Sequence, residues 1–331
     1  SIYWKKCTSK RLLLLSYAES GESREIVVVV GPKNVGKSTL VRSLITMLNG
    51  SPVYLLDADV GQSECTPSGC VSLRKINCPL FDASITSQEC EFSHCYFFGS
   101  VTPETDSNLY IDLVLDLIKF FKTNSESKSV MVINTCGWVE AHFYFFSVLP
   151  KLPFVISSSA RRDLLTASYF AKNLLLKTVW GLPDVSPRAV FFKSLYIYIH
   201  PLLGPLPDTQ IFAALNCTLV ALCVLPTDGK EEMPSLIDEE SVKLLCIGFG
   251  FIRAVDIERG LMYVITPVCQ ESLRDVNVFA RGINIGLPSY FLTQQHCHDP
   301  PYVVSVKRSS MESDMYKGLK LAPTTYKKMR K

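Results

Sequence analysis

Residues 31–39 combine glycines, a lysine and hydroxyl side chains in the order typical of a phosphate-binding loop. The nine residues are Gly31, Pro32, Lys33, Asn34, Val35, Gly36, Lys37, Ser38 and Thr39. The glycines permit a tight turn whose backbone N–H groups point at an anion, next to the positive end of a helix. In such loops the lysine reaches the β- and γ-phosphates, and the serine hydroxyl binds Mg²⁺. The pattern therefore predicts that this loop holds a nucleoside triphosphate.

Two carboxylates follow a second apolar run, and such groups can bind a metal ion or accept a proton from an attacking hydroxyl. Asp57 and Asp59 stand two residues apart at the end of the run that begins at Pro52. Alternate residues of a strand share a side, and the carboxyl ends of parallel strands face the ligand crevice. We predict that one of the two carboxylates serves Mg²⁺ and the other an incoming hydroxyl. The alternative, in which both carboxylates only solvate the end of a strand, stays open.

Apolar periodicity predicts the elements that position these residues. Buried strands and amphipathic helices are expected to alternate, with strands over 26–30, 53–57 and 130–134 and helices near 38–48 and 109–122. One side of the second helix is apolar, at Leu109, Leu113, Leu117, Phe120 and Phe121. This alternation predicts an α/β fold with a doubly wound, mostly parallel sheet.

The chain is expected to divide into three parts. We predict a P-loop core over 1–185, a smaller β-rich domain over 186–306, where short apolar runs alternate with Gly and Pro, and a basic tail over 307–331. The tail is predicted to be disordered and to contact RNA phosphates or act as a nuclear address. A solvated terminus without a partner is the alternative. The net charge of +3 is too small to require a nucleic acid partner by itself.

Four motif blocks identify a family resemblance. They lie in order at 31–39, 57–69, 98–103 and 134–139. Together they resemble the polynucleotide 5′-hydroxyl kinases, which are P-loop enzymes of RNA processing. The guanine-reading Asn-Lys-x-Asp motif of regulatory GTPases does not occur in the chain.

The resemblance implies transfer of the ATP γ-phosphate to the 5′-hydroxyl of RNA or DNA. It implies that Lys37 and Ser38 hold ATP and Mg²⁺, and that Asp59 accepts the proton of the attacking hydroxyl, which leaves Asp57 as the carboxylate predicted to serve Mg²⁺. Trp138 matches a tryptophan that stacks on the nucleic acid, although a core aromatic is the alternative. Gln62 and Thr102 lie in the motif blocks and are predicted to contact the nucleic acid.

The C-terminal third resembles the nucleolar member of this family, through the segments 245–256, 263–268 and 273–277. This resemblance implies a role in rRNA processing and ribosome biogenesis, in the nucleus and nucleolus. The implied partners are RNA 5′-hydroxyl ends and a pre-rRNA processing nuclease complex.

The chain departs from the family in two places. Family members carry a β-rich domain before the core, whereas only residues 1–25 precede the first predicted strand, and an arginine-bearing lid is expected after residue 140 but is not recognisable. We interpret the chain as a shortened form lacking both. Arg161 or Arg162 could replace the lid arginine, although a pair of exposed surface arginines is the alternative. An ATP-binding, catalytically weak scaffold that docks a processing nuclease is therefore a second hypothesis.

The amino-acid composition limits the classes of protein to which the chain can belong. Of the 331 residues 47% are hydrophobic, but no apolar run reaches membrane length without a breaker, so no membrane association is expected. The twelve cysteines are scattered and include no Cys-x-x-Cys pair, which favours buried reduced thiols in the cytosol or nucleus. The two histidine–cysteine clusters, at 90–95 and 296–298, lack the spacing of a zinc site.

Overall fold

The structure is a computed structural model, and it describes most of the chain between residues 2 and 288. The described residues are 2–6, 13–18, 24–33, 35–48, 50–78, 80, 84–88, 92, 94–137, 157–175, 182, 185–225, 236–237 and 241–288. The expected basic tail over 307–331 lies outside them.

Strands and helices are interspersed in the first half of the described chain. The elements there are β1 (Ile2–Lys6), β2 (Leu13–Ala18), β3 (Glu25–Val30), α1 (Lys37–Met47), β4 (Val53–Ala58), β5 (Cys70–Ile76), β6 (His94–Phe97), α2 (Ser107–Asn124), β7 (Val130–Thr135) and α3 (Ser158–Asn173). The three predicted strands and two predicted helices are confirmed, with ends displaced by at most two residues.

Strands dominate the second half. They are β8 (Arg188–Phe191), β9 (Tyr196–Ile199), β10 (Leu219–Val224), β11 (Leu236–Ile237), β12 (Leu244–Asp256), β13 (Leu261–Ile265) and β14 (Val278–Arg281), with one short helix, α4 (Ile211–Leu215), between β9 and β10. The predicted β-rich C-terminal region is therefore present. The predicted boundaries at 185 and 306 remain predictions, since strands from both sides of residue 185 join one sheet.

All fourteen described strands belong to a single mixed sheet. Its order is β1-β2-β3-β7-β4-β5-β6-β12-β10-β14-β9-β11, and β13 joins β12 to β8. Strands β3, β7 and β4 are parallel, as the α/β P-loop class requires, and β9 is parallel to both β14 and β11. The other pairs in the sheet are antiparallel. The α/β P-loop class is thus confirmed, but the prediction of a mostly parallel sheet was wrong. Only the three-stranded centre and the β14-β9-β11 edge are parallel, because most of the other strands are added as antiparallel neighbours without a crossover helix.

Helices cover both faces of the parallel centre. On one face α2 buries Leu109, Leu113, Leu117 and Phe121 against Met131 and its neighbours in the sheet. On the other face α1 contributes Val41 and Ile45, which pack against Val29, Leu55 and Val132. Phe120, expected on the buried side of α2, is only half-buried. This two-sided cover holds the carboxyl ends of β3, β4 and β7 at one edge, where the motif blocks follow them.

No helix among the described residues is long and apolar enough to cross a membrane.

Candidate functional site: a phosphate-binding loop at the strand ends

Gly36 shapes the loop between β3 and α1. Its φ of +91° lies in the left-handed region, which costs other residues energy but not glycine. Gly36 also caps α1 and has no side chain, so no capping side chain occupies the N–H groups of the first turn. An added Cβ would meet nothing within 4 Å. The loop therefore offers an open cradle of backbone donors, with Ser38 and Thr39 in the first turn of the helix.

Lys37 is the buried cation of this loop. Only 7% of the residue is exposed, and its Nζ donates to the carbonyl oxygen of Pro32 at 2.9 Å. Burial lowers the pKa of Lys37, while the charge of Asp59 acts in the opposite direction. The ammonium group is thus folded back across its own loop, where a bound phosphate would lie.

Asp57 is almost fully enclosed at the end of β4. Its Oδ1 accepts from Asn134 Nδ2 at 3.0 Å and from the Asp59 N–H at 3.3 Å, and its Oδ2 accepts from the Glu64 N–H at 2.5 Å. These donors favour the ionised form, but burial first and the Glu64 charge second raise the pKa of Asp57 to about 8. The side chain therefore organises the strand ends. Its predicted role as a Mg²⁺ ligand stays a prediction.

Asp59 lies one residue beyond the end of β4 and anchors the turn that follows. Its Oδ1 accepts from the N–H groups of Gly61 and Gln62 at 3.1 and 3.0 Å. Burial raises the pKa of Asp59, and these two hydrogen bonds and the charge of Lys37 limit the rise. Of the two predicted carboxylates, Asp59 is the one whose charge acts more strongly on the pKa of Lys37.

Two glycines bring separate motif blocks into contact. A Cβ on Gly61 would lie 2.8 Å from the carbonyl oxygen of Val101, so the second and third blocks touch there. A Cβ on Gly137 would lie 3.0 Å from the backbone nitrogen of Lys33 and 3.1 Å from its Cα. The turn after β7 thus presses directly against the phosphate-binding loop. Only glycine permits both approaches without a shift of the backbone.

Gln62 connects the second block to α3. Its Nε2 donates to Ser158 Oγ at 3.2 Å, and its Oε1 accepts from Arg161 Nη1 at 3.0 Å. Arg161, one of the two arginines considered as a replacement for the lid arginine, therefore reaches the site. Thr102 instead caps a short 3₁₀ turn, where its Oγ1 accepts from the Glu104 N–H at 3.5 Å.

Sequence reasoning gave no role to three residues that hold the site together. Glu64 is 2% exposed and accepts two hydrogen bonds from the Arg42 guanidinium, at 3.0 and 3.1 Å. Asn134 is fully buried and orients Asp57. Glu64 and Asn134 lie inside the motif blocks, and that position could have indicated a role in the site. Nothing in the sequence indicates a role for Arg42, the partner of Glu64, because it occupies an ordinary position in α1.

Two predicted site residues, Asn34 and Trp138, lie outside the described residues. The segment 138–156, where the lid was expected, does so as well.

The fold and the loop define the class: this is an α/β P-loop protein. Two family models match the chain, "mRNA cleavage and polyadenylation factor CLP1 P-loop" over residues 31–146 and "NOL9-like, C-terminal domain" over residues 183–287. A solved structure, wild-type Clp1p in complex with Pcf11p (454–563), aligns with a TM-score of 0.55 at 15% identity, covering 78% of this chain and 74% of that chain. At that identity the alignment supports the fold alone.

Curated relatives narrow the class. Polynucleotide 5′-hydroxyl-kinase nol-9 of Caenorhabditis briggsae is 33% identical over 344 residues, covering 86% of this chain and 62% of the relative. The NOL9 kinase of Homo sapiens is 25% identical (82% and 50% covered), and that of Arabidopsis thaliana is 27% identical (86% and 92% covered). The chain is homologous to the NOL9 polynucleotide 5′-hydroxyl kinases. It spans less than two thirds of the length of the nematode relatives that it matches.

Proposed function

We propose that this protein is an ATP-dependent polynucleotide 5′-hydroxyl kinase that transfers the γ-phosphate of ATP to the 5′-hydroxyl of RNA. The observation that carries the proposal is that a buried P-loop lysine, Lys37, lies near enough to the Asp59 carboxylate, one residue beyond β4, for the two charges to act on each other. The homology to kinases of this name supports the same reaction.

The open cradle around Gly36 fits a nucleoside triphosphate. Lys37 would release the Pro32 carbonyl and bind the β- and γ-phosphates, while the N–H groups of the first turn of α1 bind the same anion. Ser38 would hold Mg²⁺, which neutralises charge on the phosphates when it is bound. We assign Asp57 to the outer surroundings of that ion, since both of its oxygens already accept from protein donors.

Asp59 is proposed as the base that accepts the proton of the attacking 5′-hydroxyl. Its Oδ1 is fixed by two backbone donors, which leaves Oδ2 to approach the acceptor strand. Because burial raises the pKa of this carboxyl, it is a better proton acceptor than an exposed aspartate. Nucleophile activation would then depend on a rigid turn rather than on a mobile side chain.

Arg161 is proposed as the cation that stabilises charge on the transferred phosphoryl group. Its side chain reaches Gln62, in the turn that Asp59 holds, and so lies beside the proposed acceptor path. Arginines in this role accelerate phosphoryl transfer by about 10³-fold or more. We propose that Gln62, Thr102 and Trp138 contact the RNA strand.

The proposed setting is rRNA processing in the nucleolus, with RNA 5′-hydroxyl ends as substrate and a processing nuclease as partner. The match of residues 183–287 to the NOL9-like C-terminal domain supports this setting. We further propose that the domains divide at residues 185 and 306, with a basic tail beyond.

The test is transfer of labelled γ-phosphate from ATP to a 5′-hydroxyl RNA oligonucleotide. Lys37→Ala and Asp59→Asn should each abolish transfer, whereas Lys119→Ala, an exposed lysine on α2, should not change it. Asp59→Asn should still bind ATP, because the base acts only in the chemical step. Full activity of Lys37→Ala would refute the proposal.

A second candidate is a nucleotide-binding scaffold with weak catalysis. The first alignment extends over 344 positions but covers 86% of this chain, about 285 residues, so roughly sixty positions of the relative have no counterpart here. Mg²⁺-dependent ATP binding without transfer by the unmodified chain would favour the scaffold. Transfer that depends on Lys37 would exclude it.

A further inference from the structure

Four buried cysteines lie side by side where the two halves of the sheet meet. Cys70 begins β5, Cys95 lies in β6, Cys246 lies in β12 and Cys223 lies in β10. These strands are consecutive in the sheet, and at most 1% of each cysteine is exposed. We call this group the thiol cluster. Its members are far apart in the sequence, so the spacing of cysteines along the chain does not predict it.

Strand register explains how the thiols converge. Cys223 pairs directly with Cys246, and the pairing of Leu245 with Tyr96 places Cys246 and Cys95 at the next position of the same register. The sulfur atoms of Cys70, Cys95 and Cys246 all lie within 4.8 Å of one another. A flat sheet would hold β5 and β12 about 10 Å apart. The side chains of Cys70 and Cys246 therefore lean toward each other across β6, the strand that lies between β5 and β12.

The surroundings of the cluster are apolar. Its neighbours in the core include Phe97, Phe249 and Ala221, and Cys246 Sγ donates a weak hydrogen bond to the Gly248 carbonyl at 3.4 Å. Burial raises the pKa values of Cys70, Cys95 and Cys223 well above the usual range. Thiols are weak hydrogen-bonding groups, so mutual contact gives a protein little stability. Soft metal ions, in contrast, bind such convergent sulfur ligands strongly.

We propose that Cys70, Cys95 and Cys246, with Cys223 as fourth ligand, form a structural Zn²⁺ site. Zinc prefers four sulfur ligands in a tetrahedron at about 2.3 Å, which separates the sulfurs by about 3.8 Å. Three of the four sulfurs, those of Cys70, Cys95 and Cys246, already lie within 4.8 Å of one another. Cys223 lies outside that group, and its side chain would turn past its cross-strand partner Cys246 to complete the tetrahedron. Each thiol that becomes a thiolate ligand releases its proton to solvent, so binding strengthens as pH rises. No electron transfer is involved.

The site has a defined structural consequence. Cys70 and Cys95 belong to strands that continue the P-loop half of the sheet, while Cys223 and Cys246 belong to the C-terminal half. One ion would thus cross-link the two halves at β6 and β12. Since all four ligands are enclosed, the ion would enter during folding rather than afterwards. The inference does not rest on the proposed kinase activity.

The test measures metal on the whole chain, purified from cells supplied with zinc. After gel filtration in a chelator, elemental analysis should find about one zinc ion per chain. Refolding with Co²⁺ as the probe should produce sulfur-to-cobalt charge-transfer absorption in the near-ultraviolet, together with the visible bands of a tetrahedral site.

Cys246→Ser should remove both the zinc and the cobalt spectrum, since Cys246 touches the other members of the cluster. Cys65→Ser is the matched control, because Cys65 is also a buried free cysteine but lies outside the cluster. A metal-free wild-type chain, a Cys223–Cys246 disulfide in its mass spectrum, or binding of Cu⁺ without Zn²⁺ would overturn the proposal. If Cys246→Ser fails to fold, the wild-type cobalt spectrum decides alone: absence of charge-transfer absorption refutes the site.

Discussion

Gly137→Ala should weaken nucleotide binding without removing any group that contacts the nucleotide. The new Cβ would lie 2.6 Å from Lys33 Cγ, 3.0 Å from its backbone nitrogen and 3.1 Å from its Cα. Two of these atoms belong to the backbone of the phosphate-binding loop, so a side-chain rotation cannot relieve the overlap. Overpacking of this kind costs about 1–3 kcal/mol. If the loop shifts to accommodate the methyl group, that cost appears as a loss of affinity of about 5-fold to 150-fold.

The assay is calorimetric titration of the purified variant with ATP and Mg²⁺, alongside thermal unfolding. Gly286→Ala is the matched control, because a Cβ at Gly286 meets nothing within 4 Å. We expect the control to bind ATP as the parent does, and Gly137→Ala to lose affinity in the stated range. A Gly137→Ala protein with parental affinity and parental melting temperature would show that the turn after β7 does not support the loop.

Three further outcomes are expected. In Mg²⁺-free buffer, the Asp57 pKa of about 8 means that the folded protein retains a proton that the unfolded chain loses near pH 4. The free energy of unfolding should therefore fall as pH rises from about 4 to about 8, by up to about 1.4 kcal/mol per pH unit. Asp57→Asn should remove this slope in urea titrations, and parallel slopes would contradict the argument. Glu64→Ala, which strands the Arg42 guanidinium, should cost about 3 kcal/mol of stability, and an unchanged urea midpoint would disprove that. Arg161→Ala should lower kcat for phosphoryl transfer about 10³-fold while Arg259→Ala does not, and equal kcat values would remove Arg161 from the site.

Local pattern was sufficient to predict the centre of the fold. The apolar run before Gly31 and the period of the residues from Leu109 to Phe121 fix a buried strand and an amphipathic helix, and both occur as expected. The loop between β3 and α1 could be predicted for the same reason, since its glycines encode a backbone shape that needs no distant partner.

What depends on distant pairing could not be predicted. Asn134 meets Asp57 across seventy-seven positions of sequence, and Arg161 meets Gln62 across ninety-nine. The thiol cluster is hidden for the same reason, because its members converge only after four strands take their register. Short-range periodicity identifies an element and its buried side, but the neighbour of that side is set by topology.

The pairing of β6 with β12 makes the two halves of this protein mutually dependent. In that pair Tyr96 and Phe97 lie opposite Leu245 and Leu244. The hydrogen bonds between β6 and β12 join the P-loop half of the sheet to the C-terminal half. A cut between the halves would bare two apolar strand edges, and such edges recruit other chains. Truncation of the C-terminal half should therefore yield aggregates rather than a free-standing P-loop unit. Insertions or deletions that change the length or register of β6 or β12 should be poorly tolerated for the same reason, since each strand covers the edge of the other.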